Sequence, residues 1–317
     1  MFTFDRTLIV AEFQLVVDER VVKVGGTLHH HCREFQTICR IDIPGCRSLC
    51  GIGKEELLSD SRFTSLLEEL RDGGCDFTVL NPGEEPSKEV EMLLSVGGDG
   101  TFLSSSVLAA ARNIPIMGVN LGRMGFLSEN RPEDVAKALL SGDYTIENRT
   151  MLKAEVVTGQ DDIDSWPYAL NEMTVRRNGA AMLSVDVVID GVRLPTYWAD
   201  GLVVSTSSGS TAYSLSVGGP IVLPDSKVLL VSPIAPHNLN MRPIVIPDTS
   251  QISLSMYSRD GKFEFSADNR TCELPEGVEI KISVAQFSLK RVRLNRSNFI
   301  NALTEKLFWG EDVRNIK

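Results

Sequence analysis

The chain has 317 residues, a formal net charge of −10 and a pI near 5.0, a balance that argues against a nucleic-acid or anionic-membrane binder. Hydrophobic residues make up 43% of it and charged ones 23%, with 14 prolines; this excludes disordered and fibrous classes and fits about two globular domains. Six cysteines in this length are no disulfide scaffold and suit a reducing cytoplasm.

The apolar run from Leu8 to Val17 is interrupted by Glu12 and lacks a basic leader, so it reads as neither a signal peptide nor a membrane span. Residues 1–50 also hold His29, His30, His31, Cys32, Cys39, Cys46 and Cys50. Histidine and cysteine ligate zinc, yet the cysteine spacings here are not the tight pairs of zinc knuckles. The other reading is an appended extension. From Asp60 to about Gly142 helices alternate with short apolar strands, the mark of a parallel α/β sheet. Phe63, Leu66, Leu67 and Leu70 recur at helical spacing behind an Asp60-Ser61 cap and before Gly73-Gly74. Strands are expected at 77–80, 92–96 and 114–119, with a helix from about Phe102 to Arg112 and another from Pro132 to Gly142.

After about Arg149 the apolar period changes to two. Asp190-Gly191 and Asp260-Gly261 each sit between alternating runs and predict hairpins. Strands at 228–233, 278–285 and 288–294 complete an all-β region, read as a sandwich. Ser297 caps a last amphipathic helix with Phe299, Leu303 and Leu307, which needs a partner surface and is expected to pack back on the α/β part.

Three segments carry chemistry. Gly97-Gly98-Asp99-Gly100-Thr101 follows an apolar strand and opens a helix, a place where backbone N–H groups can cradle phosphate. A carboxylate there is costly for simple anion binding and makes sense if Asp99 orients a hydroxyl nucleophile or a metal; otherwise the turn is structural. The stretch Asp200–Pro220, without charge after Asp200, offers hydroxyls, small residues and one aromatic ring, Tyr213, which suit sugars and a stacked flat ring, although such segments are often plain loops. Asn171-Glu172, in the strand-like run 168–177, places a carboxylate that could take both hydroxyls of a ribose. No P-loop, complete dinucleotide fingerprint or G-x-S-x-G is present.

Together with Val119-Asn120-Leu-Gly-Arg123-Met-Gly125-Phe-Leu127 and Pro233–Pro243, these segments resemble the NAD kinase family in its bacterial form, over nearly all of residues 87–243. The resemblance implies a Rossmann-like α/β domain over 51–148, completed by 295–317, and a β-sandwich-like domain over 149–294. It leaves 1–50 unmatched and implies a homotetramer. It also implies transfer of the terminal phosphoryl of ATP, or of polyphosphate, to the 2′-hydroxyl of the adenosine ribose of NAD, with a divalent ion such as Mg²⁺. By position, Asp99 would accept the hydroxyl proton. Gly97, Gly98, Gly100 and Thr101 would hold the donor phosphates, and Gly100 would also border NAD. Asn171 and Glu172 would bind adenine and ribose, while Asp200, Thr211, Ala212, Tyr213, Ser214 and Ser216 would line the rest of the dinucleotide site. Asn120, Arg123, Met182, Trp198, His237 and Arg270 are further candidates. Bacterial members often place a polar residue where this chain has Met182, and many read Asp-Gly-Gln where it has Asp268-Asn269-Arg270. A lipid kinase would share GGDGT but would want an acyl pocket or a basic face; a non-catalytic NAD sensor would not need Asp99.

Overall fold

The computed structural model describes residues 60–75, 77–80, 90–122, 125–158, 163 and 166–307, together with the strands Phe13–Val17, Arg20–Val24, Thr37–Ile43 and Cys46–Gly53. The His29–Cys32 cluster and the side chains of Cys39, Cys46 and Cys50 lie outside the described residues, as does Arg123. Phe13–Val17 and Arg20–Val24 pair with each other alone. No described helix is long and apolar enough to cross a membrane.

The α/β part is built on Met92–Val96, buried along its whole length. It is flanked in parallel by Cys46–Gly53 and by Ile116–Val119, and a strand covered on both faces reads as a continuous apolar run. Helices α1 (Ser61–Asp72) and α3 (Pro132–Ser141) cover one face through Phe63, Leu66, Leu70, Val135 and Leu139. Helix α2 (Asp99–Ala111) covers the other, and its buried Ser105, Ser106 and Ala109 keep that contact close. The expected caps are present: the Asp60 carboxylate accepts the Arg62 N–H at 2.9 Å, and Gly142 closes α3 with φ 72°. One finding departs from the sequence reading. Thr37–Ile43, counted with the extension, pairs antiparallel with both Cys46–Gly53 and Phe77–Leu80 and so belongs to this sheet.

The β part is two sheets around one core. A six-stranded sheet runs in the order 244–247, 228–234, 201–206, 172–177, 262–267 and 270–275. Its Met173, Val175, Leu202, Val204, Phe263 and Phe265 pack against Val185, Val187, Leu254, Ile280 and Ile282 of the facing strands. The Asp190-Gly191 turn closes the expected hairpin, pairing Ile189 with Val192, and both turn residues have positive φ. Asp260-Gly261 does not close one. Ile252–Ser258 pairs within the facing sheet, whereas Lys262–Ala267 pairs with 172–177 and 270–275; the turn carries the chain across the core. An Asp-Gly signal reports local chirality and is blind to the sheet each strand joins. The actual hairpin there turns at Asp268, φ 52°.

The strands expected at 278–285 and 288–294 are one strand, Glu279–Leu294. It pairs along its length with Tyr144–Val156, with a register shift between Val284 and Ser288. Its first half also pairs with Ile252–Ser255 of the β part, and Arg291 pairs in parallel with Ile116 of the α/β part. The two parts therefore share a twelve-stranded sheet. Helix α5 (Phe299–Leu307) packs back as expected. The Phe299 and Phe126 ring centroids are 6.0 Å apart, and the Lys306 ammonium donates to the Gly125 carbonyl.

Candidate active site

Helix α2 begins at Asp99, three residues before the expected start, so Asp99, Gly100 and Thr101 form its first turn and Gly98 is the N-cap. Gly97 has φ 151°, and a Cβ there would stand 2.4 Å from the Thr101 Oγ1; glycine is required. Gly98 and Gly100 are exposed and lie at the positive end of the helix dipole, where an anion is favoured. Phe102, fully buried, anchors this turn; a phenylalanine so buried contributes about 1.5–3 kcal/mol.

The Asp99 carboxylate is held from the other side by the loop after Ile116–Val119. Its Oδ2 accepts the Phe126 N–H at 2.9 Å, and its Oδ1 accepts those of Leu127 at 3.1 Å and Ser128 at 2.9 Å. Gly125 is required for this approach, since a Cβ there would fall 1.9 Å from the Asp99 Oδ1. Asn120 is a scaffold of the loop: its amide donates to the Ser128 carbonyl at 3.1 Å and accepts the Gly122 N–H at 2.7 Å. It is buried and its side chain is occupied, so it shapes the site without facing it.

The run 168–177 is not one strand. Tyr168–Ala169 pairs with Leu152–Lys153, whereas Glu172–Arg177 belongs to the six-stranded sheet, so Asn171 sits where the chain changes sheets. Asp268 fixes that switch: its carboxylate accepts the N–H groups of Leu170 at 2.7 Å, Asn171 at 2.8 Å and Glu172 at 3.2 Å. Arg270 donates to the carbonyls of Trp166 and Tyr168; it supports the same segment. Behind Asn171, Gly209 approaches so closely that a Cβ would lie 2.2 Å from the Asn171 carbonyl oxygen. The Asn171 Oδ1 and one Glu172 carboxylate oxygen are buried with no hydrogen-bond partner among the described residues. Burial pushes the Glu172 carboxyl up to about 8, with the Asp268 charge adding to the rise and the Tyr213 backbone N–H opposing it.

The 200–216 segment supplies the neighbouring wall. Gly201–Thr206 is a fully buried strand, followed by a 3-10 turn, Ser208–Thr211, and the short helix α4 (Tyr213–Ser216). Thr211, Ala212 and Tyr213 are partly exposed and Ser216 exposed. Ser214 is buried and its hydroxyl lies 3.4 Å from that of Ser232, so it packs behind this wall. The Arg176 guanidinium is held charged first by Glu264 and then by the Tyr213 hydroxyl, which orients the ring. Asp200 pairs with Arg177 at 2.8 Å. Trp198, Met182 and His237 form a separate exposed margin, with the His237 N–H donating to the Trp198 carbonyl at 2.7 Å.

The two halves of the candidate site meet directly. Phe102 of α2 and Leu170, beside Asn171, lie in one apolar cluster, and the Asn269 amide donates to the Ser104 hydroxyl across the two parts at 3.0 Å. Arg176, Arg177, Arg291 and Lys306 went unread in the sequence, as did the role of Asp268. Their partners are 23 to 181 residues away, beyond any local pattern.

The ATP-NAD kinase N-terminal domain family matches residues 54–141 and the ATP-NAD kinase C-terminal domain family matches residues 170–294. An NAD kinase of Flavobacterium psychrophilum is 37% identical over 264 residues, 82% of this chain and 90% of that protein. One of Bacteroides fragilis is 40% identical over 235 residues, 73% and 80% respectively. Among solved structures, yeast NADH kinase complexed with NADH superposes with a TM-score of 0.65 at 29% identity, covering 72% of this chain and 69% of that one. An NAD kinase from Archaeoglobus fulgidus in complex with ATP gives 0.61 at 27%, covering 78% and 94%. Two family models that between them span most of the described chain, and relatives at 37% and 40% identity over most of its length, show that the chain belongs to the NAD kinase family.

Proposed function

We propose that this protein transfers the terminal phosphoryl of ATP to the 2′-hydroxyl of the adenosine ribose of NAD, giving NADP. The observation that carries this is the pair of unsatisfied buried acceptors at Asn171 and Glu172, joined through the Phe102–Leu170 cluster to the helix turn bearing Asp99. Buried acceptors left empty are costly and are expected where a ligand supplies the donors. Asn171 takes the adenine and Glu172 the ribose hydroxyls; a carboxyl that holds its proton near neutrality can donate to one hydroxyl and accept from the next. Tyr213, oriented by Arg176, offers its ring to the dinucleotide, with Thr211, Ala212 and Ser216 beside it and Asp200 at the far end. Ser214 acts from behind. Gly98, Gly100 and Thr101, at the start of α2, hold the donor phosphates, and Gly97 shapes their turn.

A ribose hydroxyl is a poor nucleophile near pH 7, and the chain's contribution is to place it in line with the phosphorus and receive its proton. Asp99 Oδ2 accepts one N–H where Oδ1 accepts two, so Oδ2 is the oxygen that takes the proton. No three His, Cys, Asp or Glu side chains converge among the described residues, so the divalent ion that the reaction calls for would be carried on the triphosphate, where it neutralises phosphate charge. Trp198, Met182 and His237, exposed together at the margin, are kept as candidates for the rim of the dinucleotide site, and a homotetramer in the cytoplasm, with domains over 51–148 plus 295–317 and over 149–294, belongs to the same reading. Incubation with NAD, ATP and Mg²⁺, read with an NADP-specific dehydrogenase, should yield NADP; no NADP under these conditions would overturn the reading, and polyphosphate in place of ATP defines the donor.

A further inference from the structure

The three N–H groups that hold Asp99 belong to three consecutive peptide units, and the carbonyl of each unit accepts from a cation. Gly125–Phe126 takes Lys306 on its carbonyl and gives its N–H to Asp99 Oδ2. Phe126–Leu127 takes Arg291 at 3.3 Å and gives its N–H to Oδ1. Leu127–Ser128 takes Arg291 at 3.3 Å and also gives its N–H to Oδ1. Cation, peptide and carboxylate form short chains in which each hydrogen bond polarises the next. We propose that Lys306 and Arg291 are positioning residues for phosphoryl transfer, which act through these peptides to hold the Asp99 carboxylate in its working orientation.

The inference rests on the reading of Asp99 as the proton acceptor. The two cations are fixed independently of it. Arg291 is almost fully buried in the shared strand and pairs with Glu129 at 2.7 Å. Lys306 reaches the loop from α5, its ammonium 5.0 Å over the Phe126 ring. Burial pulls the Lys306 amine down, and the charges that face it are Glu129, Asp99, Arg291 and Glu305. A carboxylate held by loop amides alone would swing with the loop; one held between α2 and two anchored cations does not. The contact also explains why a helix at the end of the chain is folded against the catalytic turn.

Arg291 is too buried for a clean test, so Lys306 is the residue to change. Lys306→Met keeps the apolar stem on Phe126 and removes the charge. Its kcat for NAD phosphorylation should fall about tenfold or more, with KM for NAD and for ATP moving less than about threefold, the signature of an interaction that serves the transition state. Lys306→Arg should restore most of the loss. A Met variant with kcat within about twofold of the parent, or one whose KM values rise as much as kcat falls, overturns the proposal, as does failure of Arg to rescue. Asp99→Asn, assayed beside them, separates the two readings: if it too retains turnover the assignment of Asp99 fails, whereas an inactive Asn variant beside a normal Met variant sinks only the relay.

Discussion

Asp99→Asn preserves the side-chain shape and three of its acceptor contacts in part, while removing a base. Turnover should fall by about 10²–10⁴-fold with little change in NAD affinity; turnover within a few-fold of the parent, measured by steady-state assay and NAD titration, contradicts the role. Glu172 makes a different kind of statement. Its carboxyl is pushed from an ordinary 4.5 up to about 8, so between those values the folded chain holds a proton that the unfolded chain has released. Its contribution to stability is complete below about pH 4.5 and is lost as pH rises through about 8. Glu172→Gln, neutral throughout, should match the parent's unfolding free energy near pH 4.5 without nucleotide and exceed it increasingly up to about pH 8, by an amount on the order of a few kcal/mol. A gap that does not widen with pH would show that Glu172 is ionised in the empty site. Tyr213→Ala should weaken NAD binding by about 0.5–1.5 kcal/mol beyond the lost contact area, with Tyr213→Phe milder because Arg176 keeps Glu264.

What the sequence disclosed follows from how local each signal is. Helices α1 and α3 were legible because cap, apolar stripe and closing glycine lie within one short window. The GGDGT turn was legible as a strand-to-helix junction because an apolar run and a helical pattern meet at its glycines. The role of Asp268 was not, since nothing in Asp268-Asn269-Arg270 says that its carboxylate will collect three N–H groups from residues nearly a hundred positions earlier. The same limit explains Asp260-Gly261, and Ser214, whose hydroxyl looked available in a hydroxyl-rich run until the fold turned it toward Ser232. The turn at Gly209 offers a test of such packing. Gly209→Ala must move the 208–211 turn away from the Asn171 carbonyl. It should cost about 1–3 kcal/mol of stability, in the range of overpacking, and weaken NAD binding by displacing Asn171. Calorimetry and NAD titration on one sample read both, and an unchanged affinity would detach the turn from the site.

The strand Glu279–Leu294 and its partner Tyr144–Val156 run through both halves of the protein, with one register shift between Val284 and Ser288. Cooperative unfolding should follow, with one calorimetric transition in which the GGDGT half and the sandwich melt together; two resolved transitions would show that the shared sheet does not couple them. Sequence reading divided the chain into two domains because period and composition change near Arg149, and both changes are real. It could not see that a single strand serves both, because the strand's two ends obey the same alternation and only their neighbours differ. That shared strand has a kinetic meaning. Many phosphoryl-transfer enzymes shut two lobes like jaws around their substrates, but jaws need a pivot, and a paired ladder crossing the junction is a girder. On the proposed assignment of the two walls, the entropy of bringing one up to the other is then lost once, when the chain folds, and is not demanded again at each turnover.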